Sequence, residues 1–267
     1  MVARVRRLVG QKRVGHAGTL DPMASGVLPV LLGRATRLMD LVQSGRKTYV
    51  ATVALGASTD TDDALGTVLA HADVPPISAA SIESVLAQFR GDIVQTPPPY
   101  SALKVGGQRA YDLARRGVAV ALAARPITID ALTLLAWSSS TLELEVTCSK
   151  GTYIRALARD VGVALGTLGH MTALRRTRVG PFAIEDAVSL DQLATLGLEP
   201  CLRAARCADQ AAPAHTATAA EAARLRNGQP IEHDLLRAGR VWVYDPDGQL
   251  LCLASADGTL LRPLLQL

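Results

Sequence analysis

Gly15-His16-Ala17-Gly18-Thr19-Leu20-Asp21-Pro22 is the stretch on which the reading of this chain turns. Three polar groups, His16, Thr19 and Asp21, stand among two glycines and a proline. Glycine lets a backbone approach a ligand closely, and a carboxylate on such a loop can act as a nucleophile or base. Judged only by its neighbours, Asp21 before Pro22 is an N-cap with proline at the first helical position.

Working outward, Ala3 to Gly10 reads as a short basic helix stopped by glycine. Val27 to Leu32 is an apolar strand candidate, and Ala35 to Val42 a helix. Lys47 to Leu55 alternates and is rich in β-formers, so it reads as a strand. Ile82, Val85, Leu86 and Phe89 fall at helical spacing within Ser81 to Phe89. Thr96-Pro97-Pro98-Pro99-Tyr100 breaks regular structure, and Tyr100 to Gly117 reads as a basic excursion carrying Lys104, Arg109, Arg115 and Arg116. Thr128 to Trp137 and Leu142 to Cys148 read as strands, and Tyr153 to Leu165 as a helix. Strands and helices mix without strict alternation, which favours an α+β fold with a mixed, largely antiparallel sheet.

Residues 204–220 are rich in alanine and poor in apolar bulk, and read as a linker or loose bridge. Beyond them, Val241-Trp242-Val243-Tyr244 and Leu250 to Leu253 flank Asp245-Pro246-Asp247-Gly248, and Asp257-Gly258 precedes Thr259-Leu260-Leu261. Asp-Gly between apolar runs signals a hairpin, so a small C-terminal β module is expected.

Hydrophobic residues make up 49% and charged residues 19%, which excludes a disordered chain. No apolar run is long enough to span a bilayer, and the basic start lacks the core of a secretory signal, so the cytoplasm is the expected location. A net charge of +4 permits a polyanionic partner without demanding one. Cys148, Cys201, Cys207 and Cys252 form no C-x-x-C pair and the histidines are scattered, so no metal site is expected.

Two further clusters carry possible chemistry. Arg46-Lys47-Thr48-Tyr49 sets an aromatic beside cations, which suits a nucleotide; a core tyrosine on a strand is the plainer alternative. Ser149-Lys150-Gly151-Thr152-Tyr153-Ile154-Arg155 follows a strand and opens a helix, whose first N–H groups favour anions. Ala173-Leu174-Arg175-Arg176-Thr177-Arg178 adds a basic run, ordinarily a solvated face.

Together and in this order, these clusters resemble the TruB family of tRNA pseudouridine-55 synthases. Gly15 to Pro22 is similar to that family's catalytic motif, Arg46 to Tyr49 to its second motif, and Leu144 to Arg155 to its third. Tyr100-Ser101-Ala102-Leu103-Lys104 with Arg109-Ala110-Tyr111 resembles its RNA-clasping insertion, about 97–125. Arg125-Pro126-Ile127 and Leu174-Arg175-Arg176 fit as well, and the resemblance extends to about Leu193.

The resemblance implies a catalytic domain of the pseudouridine synthase type over 1–206 and a small PUA-like RNA-binding module over 207–267. It implies isomerisation of a uridine in the T-loop of tRNA, at position 55, by base flipping, with no metal and no organic cofactor. Asp21 would be the catalytic aspartate, and His16 would help hold the loop that extrudes the uridine. Tyr49 would stack on the flipped base, Tyr153 would lie against base or sugar, and Leu174 would line the pocket. Arg155 would pair with Asp21, and Lys104 would support RNA binding. The partner would be the T-loop and stem of tRNA, and a monomer is expected. Family members usually open with a strand and a Lys-Pro turn before the first helix; this chain begins at Met1-Val2-Ala3-Arg4, inside that helix, so a missing strand is expected. A non-catalytic RNA-binding or tRNA-folding protein, a synthase for another RNA, and an aspartate-dependent hydrolase are the alternatives. Pure polyanion binding does not need Asp21, and hydrolysis lacks a paired carboxylate or metal cluster.

Overall fold

A computed structural model describes residues 1–101, 103–118, 122–234 and 238–267. It divides into two compact units, each built from separated stretches of chain: Leu20–Val27 with Ser44–Val179, and Met1–Thr19 with Leu28–Gln43 and Gly180–Leu267.

In the first of these units, alternation builds the sheet. Lys47–Leu55 buries Lys47, Tyr49, Ala51, Val53 and Leu55 on one face. Thr141–Cys148 buries Leu142, Leu144, Val146 and Cys148 between exposed Thr141, Glu143 and Glu145. The strands run in the order Gly169–Val179, Lys47–Leu55, Thr141–Cys148, Arg125–Trp137 and Gly91–Gln95, each antiparallel to its neighbour. Ser25–Gly26 joins parallel to Arg175–Arg176. The core contains Ile82 and Leu86 from the Ala79–Ala87 helix and Leu157, Ala158 and Val161 from the Ile154–Ala164 helix.

A close backbone approach seats the Ile154–Ala164 helix. A Cβ added to Gly162 would lie 2.5 Å from the Gly169 nitrogen and 2.7 Å from its Cα. Both contacts are with backbone, so the glycine is needed for the helix to lie where it does.

In the other unit, the Val2–Val9 helix ends at Gly10, whose φ of 63° is left-handed. Val14–His16 pairs antiparallel with Val30–Leu32. A five-stranded sheet runs Ala214–Thr216, Gly239–Tyr244, Leu250–Ala256, Leu260–Gln266, Ile231–Glu232. Its two hairpins turn where the Asp-Gly pairs fall: Asp245 Oδ1 accepts the Asp247 and Gln249 amides, and Asp257 Oδ1 accepts those of Thr259 and Leu260. Trp242 is buried with Leu38 and Leu253.

The α+β class, the largely antiparallel sheet and the C-terminal β module are as expected. Several local readings change. The strand expected from Val27 covers only Val30–Leu32, and the helix expected over Ala35 to Val42 is a 3-10 turn, Gly33–Leu38, followed by Met39–Ser44. The alanine-rich segment is ordered. It contains the Ala214–Thr216 strand and runs into the start of the Ala219–Arg226 helix, where the Thr218 cap exchanges hydrogen bonds with Glu221. Ala217 in the segment, and Ala222 and Leu225 further along the helix, are buried in the C-terminal core. The basic run 173–178 is the interior of a strand: Leu174 and Arg176 are buried, whereas Arg175 and Arg178 are exposed.

Candidate active site

Asp21 does not cap a helix. It opens a turn in which its carbonyl accepts the Ala24 amide at 2.9 Å, with Pro22 where a preset φ suits such a turn. Met23 and Ala24 then pack on the core. The segment is pinned just downstream: the Val27 amide donates to the Arg176 carbonyl at 2.8 Å, and Arg176 Nε donates to the Val27 carbonyl at 2.8 Å. Gly26 makes this pairing possible. Its φ is 105°, and a Cβ there would lie 2.1 Å from the Arg176 oxygen.

Arg155, in the first turn of the Ile154–Ala164 helix, reaches Asp21 with two donors. Nε meets Oδ2 at 3.0 Å and Nη2 meets Oδ1 at 3.2 Å. The same guanidinium donates to the carbonyls of Thr61 and Tyr100, each at 2.9 Å. Its side chain is 7% exposed, whereas that of Asp21 is 32% exposed. The carboxylate is therefore oriented from its protein side by a planar fork and still open to an incoming group.

A second acid lies beneath this pair and was not singled out from sequence. Asp63 Oδ2 lies 3.6 Å from Arg155 Nε. Asp63 Oδ1 accepts Thr61 Oγ1 at 2.7 Å and the Leu65 amide at 3.0 Å. Next to it, Asp62 pairs with Arg159 Nη1 at 2.7 Å. Arg155 and Arg159 are one helical turn apart, so both face this loop. That spacing was the available signal.

Two tyrosines and a leucine complete the group. Tyr49 lies on the Lys47–Leu55 strand opposite Val146 and Arg176. Burial pushes its phenol above the usual range, against an opposing pull from the Arg176 charge and hydrogen bond. Tyr153 stands at the N-cap of the Arg155 helix, where its amide donates to Gln95 Oε1 at 2.9 Å and its carbonyl accepts Gln95 Nε2 at 3.1 Å. Partial burial raises its phenol too, against an opposing pull from the Arg125 and Arg155 charges. The Asp21 charge adds to the rise at both tyrosines. Leu174 is buried opposite Ala51, in the cluster that holds Tyr49. The structure thus brings Asp21, Arg155, Tyr49 and Tyr153 together, with Leu174 in the same packed layer as Tyr49.

Two expected site residues remain. Lys104 is exposed on the short Lys104–Val105 strand, paired with Gln108–Arg109. His16 is half-buried at the end of the Val14–His16 strand, in the other compact unit. Within the expected insertion, Arg109 and Arg115 lie 5.8 and 5.6 Å from the centre of the Tyr111 ring. Ala102 and residues 119–121 of that insertion lie outside the described residues.

Among the described residues, no three His, Cys, Asp or Glu side chains stand in a metal-ligating group. No helix there is long and apolar enough to cross a membrane.

Comparison with known proteins finds likenesses in both sequence and fold. A family model described as TruB family pseudouridylate synthase (N terminal domain) matches residues 6–154. One described as tRNA pseudouridylate synthase B C-terminal domain matches residues 155–203. The tRNA pseudouridine synthase B of Mycobacteroides abscessus is 45% identical over 269 residues, covering 97% of this chain and 88% of that protein. That of Thermobifida fusca is 46% identical over 264 residues, covering 96% and 89%. A solved Cbf5-Nop10-Gar1 complex aligns with a TM-score of 0.73 at 24% identity, over 100% of this chain and 79% of the matched one, a likeness of fold. A family model spanning more than half of the chain, with relatives this similar over nearly its full length, makes the chain a member of the TruB family of pseudouridylate synthases.

Proposed function

We propose that this chain isomerises uridine to pseudouridine in the T-loop of tRNA, at position 55, with Asp21 as the catalytic carboxylate. The observation that carries the reading is the two-point grip of Arg155 on a carboxylate that remains one-third exposed beside two tyrosines. The names of the relatives, tRNA pseudouridine synthase B, support tRNA as the substrate.

The reaction breaks the C1′–N1 glycosidic bond, joins C1′ to C5 of the same base, removes the C5 proton and leaves N1 carrying a proton in exchange, so that substrate and product are isomers. It needs no external redox partner, and the chain works without a metal or organic cofactor. The target base must leave its stack to be reached. Tyr49 stacks on the extruded base, an interaction of about 1–3 kcal/mol that offsets part of the unstacking. Tyr153 lies against base or sugar, and Leu174 lines the pocket. Asp21, held by Arg155, promotes cleavage of the glycosidic bond.

His16 helps hold the loop that extrudes the uridine. Lys104 and the insertion at about 97–125 clasp the RNA. Residues 1–206 form the catalytic domain, and residues 207–267 act as a PUA-like RNA-binding module. The protein acts as a monomer in the cytoplasm.

Incubation with unmodified tRNA, followed by pseudouridine mapping at nucleotide resolution, tests this. One new pseudouridine at position 55 is the expected result. Binding without isomerisation indicates an RNA-binding or RNA-folding protein, and modification elsewhere a synthase for another RNA.

A further inference from the structure

The orientation of Arg155 depends on a loop that has an anchor of its own. Arg155 takes its third contact from the Thr61 carbonyl, at 2.9 Å, and faces the Asp63 carboxylate at 3.6 Å. Asp62 sits between these two residues and points to neither Arg155 nor Asp21. Its Oδ2 meets Arg159 Nη1 at 2.7 Å, one turn along the helix that carries Arg155. Arg159 also donates Nη2 to the Thr96 carbonyl at 2.9 Å and Nε to Asp160 at 2.9 Å. The Asp62 carbonyl accepts the Met171 amide at 3.0 Å, fixing the loop to the central sheet.

Two features set Asp62 apart from an ordinary surface acid. It is 7% exposed, and among the described residues it is the one non-glycine at positive φ, 58°. Asp tolerates this left-handed conformation better than most residues, but at a cost. A buried ion pair is also weak evidence of net stabilisation, because desolvation of the charges offsets their attraction. A strained, buried, paired acid fits a role in geometry better than a role in stability.

We propose that the Asp62–Arg159 pair is a positioning device for the catalytic carboxylate. It locks the loop to the helix so that the Thr61 carbonyl and the Asp63 carboxylate hold Arg155 in register with Asp21. This rests on the function proposed above. Arg159 and Asp62 touch no reacting atom; they act through Arg155.

The test uses the full chain and unmodified tRNA, reading the single-turnover rate at saturating tRNA, tRNA affinity and melting temperature. Asp62→Gly removes the charge while suiting the positive φ, so that variant folds without added strain. Asp62→Gly and Arg159→Met should each slow turnover by about ten- to a hundred-fold, the loss that a misplacement near 1 Å brings, with tRNA affinity within about twofold of wild type. Asp62→Asn keeps an acceptor for Arg159 and tolerates the same backbone, and should recover most of the rate. The double variant should be no slower than the slower single one, because both substitutions cut one link. Unchanged single-variant rates, multiplied losses in the double variant, an Asn variant as slow as Gly, or rate losses explained by unfolding would each overturn the proposal. A wild type that binds tRNA but forms no pseudouridine overturns the proposed function and this inference with it; an active wild type with unaffected variants overturns only the positioning role.

Discussion

Gly162→Ala makes a change far from any reacting atom whose sign is set by the structure. In an exposed helix interior, Ala in place of Gly stabilises by about 1 kcal/mol. Here the new Cβ would lie 2.5, 2.7 and 2.8 Å from the Gly169 nitrogen, the Gly169 Cα and the Leu168 carbonyl carbon. Ordinary packing needs about 3.5 Å between such atoms, so helix and strand must part by roughly 1 Å, because backbone cannot swing aside as a side chain does. Overpacking of this kind costs about 1–3 kcal/mol, which outweighs the gain in propensity. The melting point should fall by a few degrees, at roughly 2–4 °C per kcal/mol for a protein of this size. The same helix carries Arg155, whose bonds to Asp21 at 3.0 and 3.2 Å tolerate only a few tenths of an ångström. Turnover should therefore fall by about a hundredfold. Thermal unfolding beside single-turnover pseudouridine formation reads both effects. A variant that melts higher than wild type and turns over normally would refute the packing argument and its link to Arg155.

Three other outcomes follow from the same geometry. Tyr49→Phe should retain base binding, whereas Tyr49→Leu should lose about 1–3 kcal/mol of it; a large drop in melting temperature with normal kinetics per folded molecule would make Tyr49 a core residue only. Burial, aided by Arg176 and Lys150, lowers the Lys47 amine to about 8. Its folded pKa lies below the unfolded one, so the unfolded chain binds more protons between the two values. Stability relative to Lys47→Met should therefore rise as pH climbs from about 8 to 10.5, by at most about 3 kcal/mol, and a difference that stays flat in pH-dependent melts contradicts this. Arg175 is exposed and Arg176 is 1% exposed. Arg175→Gln should flatten the log–log salt dependence of tRNA binding by about one unit or slightly less, while Arg176→Gln should lower the melting point first; equal salt effects from both would show that burial is not what separates them.

What the sequence reveals depends on how local the cause is. The Lys47–Leu55 strand and the two C-terminal hairpins rest on alternation and on Asp-Gly turns, both visible in a few residues. The Asp21–Arg155 pair spans 134 positions and is legible only through the motif resemblance, since nothing near either residue announces the other. The Gly169–Val179 strand was hidden because three arginines mask its apolar positions and two register shifts interrupt its period. Asp60-Thr61-Asp62-Asp63 looks like a solvated acidic turn, and its last two members are buried only in the folded chain, against the Met171 strand and beside arginines more than 90 residues away. Residues 204–220 read as loose because alanine adds little bulk; the burial of Ala217 in the C-terminal core shows only once the sheet is formed.

The proposed reaction rests on the Asp21 carboxylate. Wild type and Asp21→Asn should be compared on unmodified tRNA for both equilibrium binding and single-turnover pseudouridine formation. Asn keeps the shape of the side chain and an acceptor for Arg155, so affinity should stay within a fewfold of wild type while pseudouridine at position 55 falls below detection. An Asn variant that converts the same uridine at a comparable rate would contradict the account.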